Sequence, residues 1–365
     1  STQLRFASNR KFQEKKVTMI NVAVICGGIS SEHEISCVSA GGVLKGLDSS
    51  KYNPILIGIT KAGNWVLLPN DYPLEIVGGR LPTVDEGAPA VVADVHGFSV
   101  AGKALQIDVV FPVLHGPYGE DGTIQGLFEI ANLAYVGSGV LASAVAMDKS
   151  FAKPIFAAAG MKVADGIVVT SKDKQVSIDD LAYPVFVKPA RGGSSRGTHK
   201  VKSVDALNTA LKDAFLYDHK VMIEQAVVGR EIECAVLESH GVAKASVVGE
   251  IVIDSKFEFY DFEAKYLDGA TTVKIPADIP AAAAEEIREK AVQAFKALGC
   301  SGLARCDFFY TDKGEIIINE INTMPGFTGT SMYPKLWAAT GVDYTNLITA
   351  LIETALLRTN GVLGN

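Results

Sequence analysis

Residues Asp307 to Ser331 read DFFYTDKGEIIINEINTMPGFTGTS, a hairpin turning at Thr311–Gly314 whose second strand ends in Asn319-Glu320-Ile321-Asn322. A run such as Ile316-Ile317-Ile318 belongs in a core, and core strands avoid carboxylates because burying an unpaired charge is costly. Side chains alternate along a strand, so Glu320 and Asn322 are expected on the face of Ile316 and Ile318. Pairing Tyr310 with Glu315 after the turn sets Arg305 opposite Glu320 and Asp307 opposite Ile318, with Asp307 and Glu320 as diagonal neighbours. A bulge at Gly314 would shift that register. Two carboxylates and an amide oxygen form a hard, oxygen-only set suited to magnesium or manganese, ions usually completed by substrate phosphates. Arg305 adds a planar fork for a carboxylate or phosphate. The plain alternative is an exposed cross-strand ion pair between Arg305 and Glu320.

Other stretches bear on the same chemistry. VFVKPARGGSSRG places Lys188 at the end of a buried strand, before a loop in which Gly192, Gly193 and Gly197 let backbone N–H groups approach a phosphate. Ser194 and Ser195 add hydroxyl donors. The loop runs into another strand and is not the GxxxxGK[ST] loop; an ordinary hairpin turn would read the same way. Lys149, in AMDKSFAK, offers a further positive charge, although a single helical lysine is usually solvated. In MIEQAVVGREIE, Glu224 ends a strand and Glu231 follows; both suit an adenine amino group or ribose hydroxyls, and both equally suit surface charge. GSGVLA, Gly137 to Ala142, matches the dinucleotide pattern GxGxxA, with Asp165 further on, so a nicotinamide oxidoreductase competes. That reading leaves Asp307, Glu320, Asn322 and Lys188 without a role.

These residues need a frame. From Met19, INVAVICGG, YNPILIGIT, IDVVFPVLHG and LAYVGSG are strands, alternating with helices SEHEISCVSAGGVLKGL and TIQGLFEIA and ending in one long helix, VLASAVAMDKSFAKPIFAAAG. Alternation of this kind predicts an open parallel sheet covered on both faces, with ligands at the strands' carboxyl ends, where Glu32 and His115 lie. Residues 69–102 are rich in Pro and Gly and read as a surface insertion. Beyond Met161, GIVVT, YPVFVKPA, THKVKSV, HKVMIEQAV, REIECAVLE and ASVVGEIVI are strands around the helix VDALNTALKDAF, a mainly antiparallel α+β region. The helix in IPAAAAEEIREKAVQAFKALG starts near Pro280 and stops before Gly299. SMYPKLWAATG and the helix YTNLITALIETALL close the chain.

The chain has 365 residues, enough for two or three domains, with 48% hydrophobic and 21% charged residues. A net charge of −7 gives no general drive towards nucleic acid or an anionic membrane. Five cysteines, Cys26, Cys37, Cys234, Cys300 and Cys306, lie in apolar stretches without a CxxC pair and read as small buried hydrophobes in a reducing compartment. No apolar run spans a membrane. Residues 1–18 lack the apolar stretch of a cleavable signal and read as a disordered extension outside the fold. The expected location is the cytoplasm.

GGISSEHEIS, HGPYGEDGTIQG, GSGVLASAVAMDK, KPARGGSS, FEAKY and INEINTMPGFTGTSMYP occur in this order, and together the chain from Met19 to Leu357 resembles the D-alanine–D-alanine ligases of the ATP-grasp superfamily. The resemblance implies a Rossmann-like substrate-binding domain over 19–148, a central ATP-grasp subdomain over 149–233, and a C-terminal ATP-grasp domain with metal site and lid over 234–361. It implies ATP-dependent joining of two D-alanines through a D-alanyl phosphate, for peptidoglycan precursors, with two magnesium or manganese ions. By matched motif positions, Glu32 would hold the first ammonium, with His115 nearby. Lys149, Lys188, Ser194, Ser195 and Lys265 would face ATP phosphates, and Glu224 and Glu231 the adenosine. Asp307, Glu320 and Asn322 would hold the metals. Arg305 and the Gly326 backbone would stabilise an oxyanion, and Ser331 and Met332 would receive the second substrate. Ser194 would also support Glu32 and Tyr266. Tyr266 would close the lid and favours a dipeptide, since ligases making D-alanyl-D-lactate lack this tyrosine. A homodimer through the first domain is also implied. Arg196, Cys37 and the first 18 residues depart from the pattern; Arg196 bears on the lid.

Overall fold

The structure, a computed structural model, describes residues 19–173, 176–253 and 271–358. The chain first forms β1 (Ile20–Gly27), α1 (His33–Gly46), β2 (Tyr52–Ile59), β3 (Trp65–Leu68), β4 (Val91–Asp94), β5 (Gly97–Val100), β6 (Lys103–Ala104), β7 (Val109–Pro112), α2 (Thr123–Ile130), β8 (Ala134–Tyr135), α3 (Val140–Met147) and α4 (Lys149–Ala158). A five-stranded sheet runs β3-β2-β1-β7-β8, parallel except at the β3 edge. Val22 to Cys26 are fully buried without alternation, because both faces of β1 are covered. Val22, Val24 and Phe111 share a core with α1 and with residues near the chain's end, while Ala23, Ile25 and Val110 pack with Phe98 and Phe128.

A four-stranded antiparallel sheet follows, ordered β11-β10-β12-β9, from β9 (Gly166–Thr170), β10 (Val185–Pro189), β11 (His199–Val201) and β12 (Lys220–Gln225), with α5 (Val204–Ala214) against it. The last sheet is β15-β14-β13-β16-β17, also antiparallel. It comprises β13 (Arg230–Ser239), β14 (Val242–Ile253), β15 (Thr271–Lys274), β16 (Leu303–Tyr310) and β17 (Ile316–Asn322). Helix α6 (Ala281–Ala297) covers one face, and α7 (Met332–Ala339) and α8 (Tyr344–Leu357) pack on the apolar end of the other. Pro280 stands at the N-cap of α6 and Gly299, at φ +69, just past its end, as the pattern predicts.

Three expectations need correction. Residues 69–102 are more than a surface insertion: β4 and β5 pair within them, and Leu74, Val84, Val91 and Phe98 are buried. The long helix around Asp148 is two helices. Asp148 leaves helical geometry at φ −93 and ψ 96, and its carboxylate accepts hydrogen bonds from Ser150 N at 3.1 Å and Ser150 Oγ at 2.6 Å, so it caps α4. The hairpin register also differs. Tyr310 pairs with Ile316, Phe308 with Ile318, Asp307 with Glu320 and Arg305 with Asn322, leaving Asn319 as an extra residue in a bulge. Ile316, Ile318 and Ile321 therefore face the α6 core together, and Glu320 and Asn322 face away from it. The strand is buried on one face and chemical on the other.

Candidate functional site

On the face of the last sheet turned from α6, Leu303 pairs with Leu237, Arg305 with Ala235, and Asp307 with Glu233. Polarity switches within one pleat. Glu233, Asp307 and Glu320 stand directly opposite one another on β13, β16 and β17, a row of three carboxylates. Arg305 holds two of them. Its Nε and Nη2 donate to Asp307 Oδ1 and Oδ2, both at 2.7 Å, and Nε lies 3.0 Å from Glu233 Oε2. Burial opposes charge on the guanidinium, but Asp307 and Glu233 outweigh it and raise its pKa well above normal. In place of the exposed Arg305–Glu320 pair considered from sequence, Arg305 lies half-buried against Asp307 and Glu233, and Glu320 Oε2 meets Lys149 Nζ at 3.1 Å. Asn322 Nδ2 donates to Asp307 Oδ2 at 3.1 Å.

Capping by Asp148 places Lys149 at the first position of α4, where its backbone N–H donates to Ala190 O at 3.0 Å and its Nζ to Gly192 O at 3.0 Å. Burial pushes its pKa down, Glu320 more than compensates, and the net direction is up. Lys188, at the end of β10, meets Glu224 Oε2 at 2.5 Å and Asn319 Oδ1 at 3.5 Å, so the bulged residue touches the neighbouring sheet. Lys153 joins the same carboxylate through Oε1 at 2.7 Å. Ser194 and Ser195 both adopt left-handed backbone, at φ 50 and φ 57, which costs about 1–2 kcal/mol per non-glycine residue. Ser194 Oγ donates to Glu32 Oε1 at 2.5 Å, joining the glycine-rich loop to the first sheet.

Glu32 lies just before α1, and two glycines make room for it. A Cβ on Gly116 would stand 2.9 Å from Glu32 Oε2, and one on Gly193 3.0 Å away. His115 is buried, with Nδ1 3.0 Å from Met324 O and Nε2 3.3 Å from Ser39 Oγ; burial pushes its pKa down. Ser331 precedes α7 and accepts from Thr328 N at 3.1 Å, with Gly326 close enough that a Cβ would be 3.1 Å from its Oγ. Met332 opens α7.

Two cavities result. One is lined by Lys153, Lys188, Ser195, Glu224, Glu231 and Asp307; the other by Glu32, His115, Asn322, Gly326, Ser331 and Met332. Lys149, Ser194, Glu233, Arg305 and Glu320 line both. A lysine-rich cleft thus adjoins a pocket that holds Glu32, tethered by Ser194, and the start of α7, a layout able to bring a phosphoryl donor to an amino acid. Lys265 and Tyr266 lie outside the described residues.

Sequence reasoning passed over Lys153, Glu233 and Glu120. Lys153 was signalled by its i+4 spacing from Lys149, which places both on one helix face. Glu233 alternates with Glu231 on β13, and this spacing puts the two on one face. Glu120 lines the second cavity and accepts from Gly116 N at 2.6 Å; burial, with Glu32 nearby, pushes its pKa up to about 8. It follows the loop glycines without any periodic signal. The GSGVLA turn serves packing: Gly137, at φ +101, lies against Met324 and Leu303, and Ser138 Oγ accepts from Ser301 N at 3.2 Å. Among the described residues, no three or more His, Cys, Asp or Glu side chains form a group able to hold a metal. The five cysteines are buried and free, and among the described residues no helix is long and apolar enough to cross a membrane.

Comparison with known proteins agrees with this layout. Residues 21–138 match the family model described as D-ala D-ala ligase N-terminus, and residues 155–353 the one described as D-ala D-ala ligase C-terminus. A D-alanine–D-alanine ligase of Rhodococcus erythropolis is 52% identical over 363 residues, covering 93% of this chain and 98% of that protein. Among solved structures, the VanG D-Ala:D-Ser ligase of Enterococcus faecalis superposes with a TM-score of 0.82 at 37% identity, covering 93% of this chain and 100% of that one. The D-alanine–D-alanine ligase of Bacillus anthracis complexed with ATP gives a TM-score of 0.71 at 28% identity, over 92% and 97% of the two chains. The folds are ATP-grasp folds, and two adjoining family models account for both halves of the molecule: the chain belongs to the D-alanine–D-alanine ligase family.

Proposed function

We propose that this enzyme joins two D-alanines to D-alanyl-D-alanine, converting ATP to ADP and phosphate, and so supplies peptidoglycan precursors. The observation that carries the reading is the shared wall of the two cavities, where Lys149, Arg305 and Glu320 face both. A carboxylate is a poor electrophile because it is anionic and resonance-stabilised. Its oxygen attacks the γ-phosphorus of ATP, ADP leaves, and a D-alanyl phosphate forms. The amine of the second D-alanine then attacks the acyl carbon, and phosphate departs as the amide bond forms.

The first step sets anion against anion and the second develops an oxyanion, and the named residues offset both. Lys149 and Lys188 bind phosphate oxygens. Glu32, held by Ser194 and cradled by glycines, pairs with the first ammonium, with His115 behind it. Arg305 and the Gly326 backbone stabilise the oxyanion of the second step, and Ser331 and Met332 seat the second substrate. Ser195 belongs to the phosphate loop, and Glu231 faces the nucleotide sugar. Asp307, Glu320 and Asn322 present hard oxygens on one sheet face, which fits magnesium or manganese and not a softer metal. Bound there, two such ions would neutralise charge on the polyphosphate.

In this reading 19–148 binds substrate, 149–233 and 234–361 are the two ATP-grasp halves, and the enzyme works in the cytoplasm as a homodimer through its first unit, which light scattering would test. The deciding assay couples ADP formation to a recorded signal, with and without D-alanine, and identifies the product by mass. ADP release that ignores D-alanine, or a missing dipeptide, overturns the proposal. The likeness to a D-Ala:D-Ser ligase gives D-serine a place beside D-alanine as acceptor in that assay.

A further inference from the structure

Two acids share the second cavity with no cation bound to either. Glu32 and Glu120 both line it, and both are half-buried. They approach Gly116 from two sides: Glu120 Oε2 accepts from its N–H at 2.6 Å, and Glu32 Oε2 lies 2.9 Å from where a Cβ on it would stand. Among the described residues neither acid makes an ion pair. The charged and titratable groups that face Glu120 are Glu32 ahead of α1, His115 beyond β7, Lys149 on α4 and Arg305 on β16. Each of the cations is engaged elsewhere, Lys149 by Glu320 and the Gly192 carbonyl, and Arg305 by Asp307 and Glu233. Burial disfavours the charged form of His115.

Two anions on either side of one residue repel each other, and a proton on one of them removes the conflict. Burial first, and then the charge of Glu32, pushes Glu120 up to about 8, against the pull of backbone hydrogen bonds from Gly116 and Met324. An ammonium ion beside both acids would remove the same conflict without a proton. We propose that Glu120 is the second acid of the seat for the first substrate's ammonium, neutral while the pocket is empty and a carboxylate once the ammonium has entered, its proton passing to solvent. The inference rests on the D-alanine reading above, which gives that ammonium to Glu32. A residue that only braced the Gly116 turn would keep its proton throughout.

Calorimetry on the full-length protein, titrated with D-alanine in the presence of ADP and magnesium, tests this in two buffers of unlike ionisation enthalpy. Near neutral pH the wild type is expected to release roughly one proton for each D-alanine bound. Its affinity should rise about tenfold from about pH 6 to about pH 8, as a linked proton is lost. Glu120→Gln keeps an acceptor for the Gly116 N–H but cannot titrate. It should release no proton, bind equally well across that range and fall about tenfold below the wild type at the upper end. D-lactate, with a hydroxyl in place of the ammonium, should release no proton from the wild type. A wild type that releases none with D-alanine, a variant that keeps the release or the slope, or D-lactate that matches D-alanine overturns the proposal. Should the variant fail to fold, the wild-type comparison of D-alanine with D-lactate decides alone. Wild-type protein that binds no D-alanine would defeat the proposed function instead, so the two failures are distinct.

Discussion

The last sheet has two faces made from the same strands. Towards α6, Ile232, Cys234, Cys306, Phe308, Ile318 and Ile321 form an ordinary core. One residue away on the opposite side, Glu233, Arg305, Asp307, Glu320 and Asn322 crowd charge into the cavity wall. Closely packed apolar side chains stabilise through volume and buried area, whereas grouped acids cost stability unless something else holds them. The core face answers for the fold and the charged face for the chemistry, and substitutions should separate the two.

The largest effect is expected on the core face. Phe308→Ala should cost about 3–5 kcal/mol of stability in a urea titration. On the charged face, Glu320→Gln should lower turnover about 10²–10³-fold, as loss of a charge-organising group at a reacting centre does. Its stability should fall far less than that of Phe308→Ala; equal destabilisation by both would erase the contrast.

The cavity side should also show in pH dependence. Glu120 has its pKa raised from 4.5 to about 8, chiefly by burial. The folded state holds the proton longer than the unfolded one, so this group's contribution is fully present below pH 4.5 and declines as pH rises to about 8. Across that window stability should drop by roughly 2–4 kcal/mol on account of Glu120, and Glu120→Gln should remove the slope in thermal melts from pH 5 to 8. A slope that survives in the variant assigns it to other groups. The smallest change is expected at the loop contact. Ser194→Ala should lower kcat/KM for D-alanine roughly tenfold, the worth of one hydrogen bond to a charged group, with little change in ADP affinity.

Much of the frame was legible in the residues. The unbroken apolar run of β1 announces a doubly covered strand, and Pro280 and Gly299 bracket α6. The bulge at Asn319 was not legible, because pairing of β16 with β17 depends on which isoleucines find the α6 core, a tertiary matter. The break at Asp148 left a trace, an acid two residues before a serine, but helical periodicity continues across it. Strands β4 and β5 are too short to show alternation. For the site, charge was readable at element ends for Lys149 and Lys188 and inside strands for Asp307 and Glu320. Partnerships were not, since Ser194 and Glu32 are 162 residues apart and meet only once two sheets have packed.

The supernumerary Asn319 has a consequence for how such a hairpin tolerates change in length. Excising it would restore regular pleating, with Ile318, Ile321 and their partners still inward and Glu320 still across from Asp307. The hairpin would survive the shortening intact and surrender only the amide that Lys188 touches, the sole stitch between neighbouring sheets that this position contributes. Inserting a second residue there would instead ask one kink to absorb two and would displace Glu320 from its place across from Asp307.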